Sequence, residues 1–134
     1  MTDASPTIAM GSDHRGYEAV DSISEHLRAA GWCIEILGRS ESDEPSVDYP
    51  DVAAEVASAV RDGRASVGIL MCGSGIGMSI AANKVHGIRA ALVNDSIAAE
   101  MSRRHNDANV LCKMQKRCKR EAHRGTKRNR ETER

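Results

Sequence analysis

The sequence predicts an α/β protein in which a five-stranded parallel sheet is covered by helices on both faces. Two observations carry this prediction. Five short apolar runs are bounded by turn residues, and the segments between them repeat apolar residues at helical spacing. Strands that alternate with single helices form parallel sheets that bury both faces. The chain of 134 residues is long enough for one such domain with a real core.

The elements can be placed in order along the chain. The predicted strands are residues 7–11, 32–37, 67–71, 89–93 and 108–111. The apolar stripes of the helices are Val20, Ile23 and Leu27, then Val52, Val56 and Val60, and last Ile97 and Met101 with His105. Gly31 suits the end of the first helix, Pro50 suits the first turn of the second, and Asp95 or Ser96 caps the last. A further helix is predicted after the glycine-rich turn that follows the third strand.

Composition divides the chain into a body and a tail. Residues 1–112 carry nine Lys/Arg and sixteen Asp/Glu, whereas residues 113–134 carry ten Lys/Arg and three Glu. The tail has too few apolar residues to offset the entropy of ordering it, so the sequence predicts a disordered basic tail from residue 113. Aromatic residues are nearly absent, which argues against recognition of nucleic acid by base stacking.

Compartment and metal content are predicted from what the sequence lacks. No apolar stretch approaches the length of a membrane span and the first residues have no signal-peptide pattern, so a cytoplasmic protein without a membrane partner is expected. The four cysteines form no Cys-x-x-Cys pair and are expected to be free thiols. The spacing of His105, Cys112, Cys118 and His123 matches no familiar zinc site, so no metal is expected.

The stretch 71–79, Met-Cys-Gly-Ser-Gly-Ile-Gly-Met-Ser, is the main candidate for a functional site. It is predicted to be a strand end, a tight glycine turn and the first turn of a helix. Its glycines allow backbone N–H groups to surround a small anionic or oxygen-rich ligand. Cys72 falls at the carboxyl end of the strand, where open α/β sheets bind ligands, and a helix N-terminus favours the reactive thiolate. The alternative is a small buried cysteine that only packs.

Further candidates have structural alternatives that the residues leave open. Asp13 and His14 follow the first strand and are predicted to lie beside the end of the third, although Asp13 can also simply cap the next helix. His105 is either a core histidine on an apolar stripe or a site residue at a helix end. Tyr49 is either a packing residue or part of the site, and Arg89 is expected to be a structural ion-pair partner.

Two familiar readings of the glycine turn are excluded. The third glycine of a dinucleotide-binding fingerprint would stand where the chain has Met78, and the turn follows the third predicted strand rather than the first. A cysteine-phosphatase loop would need an arginine at that same position to grip the phosphate oxygens. The sequence therefore predicts neither a nicotinamide or flavin cofactor nor a phosphatase.

Several ordered motifs together resemble one known family. They are Ser12-Asp13-His14, Asp48-Tyr49-Pro50-Asp51, the stretch 72–84 (CGSGIGMSIAANK), Gly87-Ile88-Arg89-Ala90 and the stretch 105–111 (HNDANVL). With these motifs the body, from residue 7 to 112, resembles ribose-5-phosphate isomerase type B, whose wider family includes galactose-6-phosphate isomerase subunits. Ser74 stands where that family often has threonine and keeps the hydroxyl.

The resemblance implies a cofactor-free aldose–ketose isomerase with a Rossmann-like, three-layer α/β/α fold. It implies that Cys72 is the base that moves a proton between C2 and C1, that the loop residues Gly73, Ser74, Gly75, Gly77 and Ser79 bind substrate and stabilise the enediolate, and that His105 with Asp13 opens the sugar ring. It further implies that His14 holds phosphate and that Tyr49 and Asn106 line the pocket. A homodimer or dimer of dimers is implied, and in this family the histidine can come from the partner subunit, so that dimerisation would complete the site.

After Cys112 the chain departs from the family, which continues with a Leu-Gly-x-Arg-like turn and a helix that supplies phosphate-binding arginines. The expectation is therefore an isomerase domain over residues 1–112 and a basic tail over 113–134, with weakened phosphate binding. Two other hypotheses stay open. One is an isomerase of a six-carbon sugar phosphate, and the other is a non-catalytic protein whose basic tail binds an acidic partner.

Overall fold

The computed structural model describes residues 6–39 and 48–115, which form five strands and four helices. The strands are β1 (Thr7–Ser12), β2 (Cys33–Ile36), β3 (Val67–Cys72), β4 (Ala90–Val93) and β5 (Val110–Met114). The helices are α1 (Tyr17–Ala29), α2 (Tyr49–Arg61), α3 (Ile76–Asn83) and α4 (Ser96–Asn106), and a 3₁₀ turn (His14–Gly16) precedes α1. All nine strands and helices were predicted in this order, but β5 begins two residues later and ends three residues later than the predicted strand 108–111.

All five strands are parallel, in the order β2-β1-β3-β5-β4. The steps from β1 to β2 and from β4 to β5 run in one direction along the sheet, and the other two steps run in the opposite direction. Because such crossovers are right-handed, α1 and α4 lie on one face and α2 and α3 on the other. The predicted three-layer α/β/α sandwich is confirmed.

Two aliphatic cores separate the sheet from its helices. The larger core lies under α2 and α3 and includes Val52, Val56, Leu70, Met78 and Val110, all fully buried. The smaller core lies under α1 and is built from Ile8, Met10, Val20 and Met71. The cores are therefore built without aromatic side chains, in a chain that has one Trp, two Tyr and no Phe.

Helix α2 packs directly against the backbone of β1 where the strand has glycine. A Cβ added at Gly11 would lie 2.5 Å from Cγ1 of Val52, so any larger residue in this strand would push the helix away. This close approach also fixes the first residue of α2, Tyr49, next to the carboxyl ends of the strands. The glycine in β1 thus helps to place a residue of the candidate site.

The body extends past the boundary that the sequence predicts at residue 112. Lys113 and Met114 belong to β5, where they pair with Met71 and Cys72, and the backbone N–H of Gln115 donates to the carbonyl of Cys72 at 2.9 Å. Placing these residues in a disordered tail was wrong, because backbone pairing does not require apolar side chains. The rest of the predicted tail, 116–134, lies outside the described residues.

The helices of the described segments are all too short or too polar to cross a membrane. Within those segments Cys33, Cys72 and Cys112 are free, as predicted. Cys118 lies outside them.

Candidate functional site

The candidate site lies where the direction of the strand order reverses. β1 and β3 are neighbours in the sheet, yet the connections that leave their carboxyl ends run to opposite faces. In open parallel sheets this arrangement leaves a crevice at the carboxyl edge, and ligands bind there. Ser12 pairs with Met71, so the predicted turn at 13–14 and the cysteine loop begin side by side.

Cys72 ends β3 with its sulfur held by the loop that follows. The backbone N–H of Gly75 donates to Cys72 Sγ at 3.1 Å, and the residue is only 7% exposed. The hydroxyl of Ser74 accepts the N–H of Ile76 at 3.2 Å, which fixes the exposed Ser74 over the first turn of α3. The sulfur, a hydroxyl and the N-terminus of a helix therefore lie within one turn of chain.

Two of the loop glycines are required by the geometry. Gly75 has φ 79°, and a Cβ there would lie 2.6 Å from Cδ1 of Leu92 and 3.0 Å from the carbonyl carbon of Lys113. A left-handed backbone and a tight contact with β5 both favour glycine. A Cβ at Gly77 would lie 2.7 Å from Cε2 of Tyr49, so the tyrosine ring packs directly on the loop.

Gly73 and Ser79 differ from the other loop residues in what they face. A Cβ at Gly73 would meet nothing within 4 Å, so this side of the loop is open. The Ser79 hydroxyl donates to the carbonyl of Ile76 at 2.9 Å, within α3. Gly73 therefore leaves room for a ligand beside Cys72, whereas Ser79 holds the helix start in shape.

The turn after β1 brings Asp13 and His14 to the same edge. Asp13 Oδ1 accepts the N–H of Arg15 at 3.1 Å and the Asp13 carbonyl accepts the N–H of Gly16 at 3.0 Å, so the capping role of Asp13 is confirmed. His14 is exposed on this turn. Under the turn, Ser12 is 2% exposed and its buried hydroxyl has no hydrogen-bond partner, unlike any other buried side-chain polar atom of the described segments.

His105 and Asn106 do not join this group within one chain. They end α4, beside Asp107, whose carbonyl and carboxylate accept hydrogen bonds from Arg89 at 2.8 and 3.1 Å. Arg89 and Asn109 precede β4 and β5, and Asn109 bonds to Gly68 at the start of β3. Four residues of strand separate Gly68 from Cys72, about 13 Å at the usual rise per residue. The two groups therefore lie at opposite ends of the strands, with Cys72 at the carboxyl ends and His105 and Asn106 at the amino ends.

Two alternatives left open by the sequence are decided here. The side chain of His105 is exposed, so its interpretation as a core histidine was wrong. The predicted stripe as a whole does not face the core, since Ile97 and Met101 are also exposed, at 69% and 39%. The expectation that Arg89 is a structural ion-pair partner is confirmed by its contact with Asp107.

Cys112 lies in β5 behind Cys72 and is fully buried. Burial raises the pKa of the Cys112 thiol to about 12, and the neighbouring charge of Cys72 contributes in the same direction. A thiol that stays protonated is a poor nucleophile and a poor metal ligand. Groups of three or more metal-ligating side chains are absent from residues 6–39 and 48–115.

The sequence analysis did not identify Gln115, which contacts both the end of β3 and the turn after β1. Its backbone N–H bonds to the Cys72 carbonyl, and its side-chain amide donates to the carbonyl of Arg15 in the turn that carries Asp13 and His14. Only the register of β5 against β3 could have revealed it, and the polar composition after Cys112 concealed that register.

A thiol-bearing glycine loop at the switch point of a Rossmann-like sheet defines the class of protein: an α/β enzyme fold with a small polar-ligand site at the carboxyl edge. Comparison with known proteins identifies the family. The family model described as Ribose/Galactose Isomerase matches residues 8–126. The chain belongs to this family, which includes the type B ribose-5-phosphate isomerases, and the predicted resemblance is confirmed.

Individual relatives agree with this assignment. Ribose-5-phosphate isomerase B of Escherichia coli is 44% identical over 104 residues, which are 78% of this chain and 68% of that protein. The D-erythrulose-4-phosphate isomerase of Pectobacterium atrosepticum is 40% identical over 105 residues, 78% of this chain and 68% of that protein. The structure of Trypanosoma brucei type B ribose 5-phosphate isomerase superposes with a TM-score of 0.74 at 53% identity, covering 81% of this chain and 73% of that one.

Proposed function

We propose that the chain is an aldose–ketose isomerase that interconverts ribose 5-phosphate and ribulose 5-phosphate. The observation that carries this proposal is the position of Cys72: its sulfur accepts the Gly75 N–H at 3.1 Å, at the switch point of the sheet, beside the open side of Gly73. Membership in the ribose/galactose isomerase family supports the same reaction class.

In the proposed reaction the Cys72 thiolate removes the C2 proton of the open-chain aldose. The electrons of the C2–H bond form the C1=C2 double bond of an enediolate, and negative charge moves to O1. The proton of the O2 hydroxyl passes to O1, and the Cys72 thiol then returns its proton to C1, which leaves a ketone at C2. Atoms and charge balance without a redox partner, so the residues need no cofactor to carry out this step.

The negative charge on the enediolate oxygens needs preorganised donors, and the loop is suited to supply them. Ser74 is exposed at the turn, and the N-terminus of α3 lies directly after it. Donors held in place before the reaction lower the barrier without reorganisation, and removal of one such donor typically costs about 10²–10³ in kcat. We assign Ser74 and the amides of Gly73 and Gly77 to this role, with Gly75, whose N–H donates to Cys72 Sγ, holding the base and Ser79 holding the start of the helix.

The remaining substrate contacts are assigned from position. His14, exposed on the turn after β1, is assigned to the phosphate, and Asp13 to ring opening together with His105. Tyr49 covers the loop at Gly77 and forms a wall of the pocket. His105 and Asn106 are assigned to ring opening and to the pocket, but at the amino ends of the strands they cannot serve the site of their own chain.

We therefore propose a homodimer in which each chain supplies His105 and Asn106 to the other. Exposed apolar side chains around the β4 edge of the sheet support the contact: Ile76 and Ile80 one turn apart on α3, Leu92 on the edge strand, and Ile97 and Met101 one turn apart on α4. Both helices pack against β4. Such a surface is unusual on a monomer and typical of an interface.

The expected loss of phosphate-binding arginines concerns residues beyond Gln115, outside the described segments. It remains part of the proposal. Each charge-assisted hydrogen bond contributes about 1.5–3 kcal/mol, so the absence of two would raise KM about a hundredfold or more relative to typical family members.

A direct assay tests the function. The purified full chain is given ribose 5-phosphate, ribulose 5-phosphate, a six-carbon aldose 6-phosphate and a four-carbon ketose 4-phosphate, and the products are separated. The six-carbon substrate is included because the family description covers galactose isomerases, and the four-carbon one because of the Pectobacterium relative. Interconversion of the five-carbon pair at the highest kcat/KM is expected.

Two variants accompany the assay. Cys72→Ala is expected to lose turnover by about 10²–10⁴, the usual contribution of a positioned base. Cys33→Ala is the matched control, because this thiol is exposed on β2, away from the switch point, and should retain full activity. Turnover of the five-carbon pair by well-folded Cys72→Ala at the wild-type rate would contradict the assignment of the base.

A further inference from the structure

Gln115 is the last described residue and it reaches across the carboxyl edge of the sheet. Its backbone N–H donates to the Cys72 carbonyl at 2.9 Å, one strand away. Its side-chain amide donates to the carbonyl of Arg15, two strands away, and its Oε1 lies 3.8 Å from where a Cβ would stand on Gly16. One residue therefore connects the strand that ends in the candidate base to the turn that carries Asp13 and His14.

Among the described residues, Gln115 makes the one side-chain hydrogen bond that reaches this turn from a distant part of the chain. The turn's own hydrogen bonds are local, from Arg15 and Gly16 to Asp13. The buried Ser12 hydroxyl beneath it makes no hydrogen bond. The hydrogen bond from the Gln115 side chain to Arg15 therefore joins residues distant in the chain and fixes the turn relative to β3 and β5.

We propose that Gln115 is a positioning residue that sets the distance between the phosphate-binding turn and the Cys72 loop. This inference rests on the proposed function, in which His14 holds the phosphate and Cys72 acts at C2. Both ends of the substrate must be held at once, so a turn that drifts by a fraction of an ångström weakens binding of the phosphate while Cys72 stays in place.

The side chain and the backbone of Gln115 can be separated by mutation. Gln115→Met keeps the length and neutrality of the side chain and the backbone bond to Cys72, but it removes the donor to Arg15. Arg28→Met is the matched control, since it removes a side-chain bond to a backbone carbonyl, that of Ile34, between α1 and β2. Full-length proteins are compared in the ribose 5-phosphate assay.

The expected result is a KM about 3–10-fold higher in Gln115→Met, the effect of one lost hydrogen bond, with kcat changed less than about twofold. Arg28→Met should match the wild type in both constants. Equal constants in Gln115→Met and the wild type, or a fall in kcat without a rise in KM, would overturn the proposal. So would an equal rise in KM in the control.

A second measurement keeps the inference testable without turnover. The amide protons of Arg15 and Gly16 are protected by bonds to Asp13, and their hydrogen exchange should be about tenfold faster in Gln115→Met and unchanged in Arg28→Met. If the wild type is inactive on every sugar phosphate, the proposed function fails on its own. Unchanged exchange in Gln115→Met would overturn the positioning role whatever the activity.

Discussion

The ring of Tyr49 lies on the backbone of Gly77, so close that a Cβ at Gly77 would stand 2.7 Å from Cε2 and 2.9 Å from Cζ. This contact joins the first residue of α2 to the first turn of α3, two helices on the same face of the sheet. The tyrosine is 44% exposed, so its ring covers the loop on one side and faces outward on the other. It thus forms a wall of the candidate site that depends on the glycine.

Gly77→Ala should destabilise the protein by about 1–3 kcal/mol, because the added methyl group must displace the ring. In a Tyr49→Ala background the same change should be neutral or slightly stabilising, since alanine favours a helix more than glycine does. Urea denaturation of the two single variants and the double variant measures the coupling. Additive effects would contradict the direct contact.

Alkylation should distinguish the three described thiols. Cys33 is exposed and should react with iodoacetamide without loss of activity. Cys112 is buried with its pKa raised to about 12 and should not react below pH 9. Modification of Cys72 should track inactivation, and ribose 5-phosphate should slow it. Peptide mass spectrometry over the time course makes the comparison, and inactivation that followed Cys33 instead would remove Cys72 from its role.

Cys112 should also make stability depend on pH in alkaline solution. Its pKa is raised from 9.0 to about 12 by burial, so between these values the unfolded chain loses a proton that the folded chain keeps. Stability therefore falls as pH rises, by up to about 1.4 kcal/mol per pH unit from this group. The slope of unfolding free energy between pH 9 and 10.5 should be smaller in Cys112→Ala, and an identical slope would contradict the shift.

Replacement of two buried serines by alanine should change the stability of the protein in different ways. Ser12 has a buried hydroxyl without a partner, so Ser12→Ala should be neutral or stabilise the protein by up to about 1–3 kcal/mol. The Ser24 hydroxyl donates to the carbonyl of Asp21 at 2.9 Å, and Ser24→Ala should cost about 1 kcal/mol. Denaturation curves of both variants decide between them, and an equal loss would mean that Ser12 is satisfied.

The sequence predicted the strands and helices because their signals are local. Val20, Ile23 and Leu27 recur at helical spacing, and the glycines of the loop follow an apolar run, so each element could be read within a short window. The separation of the predicted site residues into two groups, one at each end of the strands, could not be predicted from such short windows. His105 lies at the opposite end of the strands from Cys72 because α4 runs against the strands, and Gln115 reaches Arg15 through strand pairing. Both depend on contacts between residues distant in the chain.

The position of His105 leads to the sharpest prediction about assembly. If each site combines Cys72 of one chain with His105 of the other, then Cys72→Ala and His105→Ala are each inactive as homodimers. A mixed dimer holds one site that carries both substitutions and one site that carries neither. Subunit exchange in an equal mixture should therefore restore activity to about a quarter of the wild type, because half of the dimers are mixed and half of their sites are intact.

The control for this mixture is a pair of substitutions in the same loop. Cys72→Ala mixed with Ser74→Ala should restore nothing beyond the activity of Ser74→Ala alone. Both residues belong to the same loop, so each site of a mixed dimer still carries one of the two substitutions. Mixing is followed by light scattering so that exchange is known to have occurred. Recovery in the Cys72→Ala and His105→Ala mixture requires a shared site, since no single chain there carries both groups. Exchange without recovery would mean that His105 acts in its own chain or not at all.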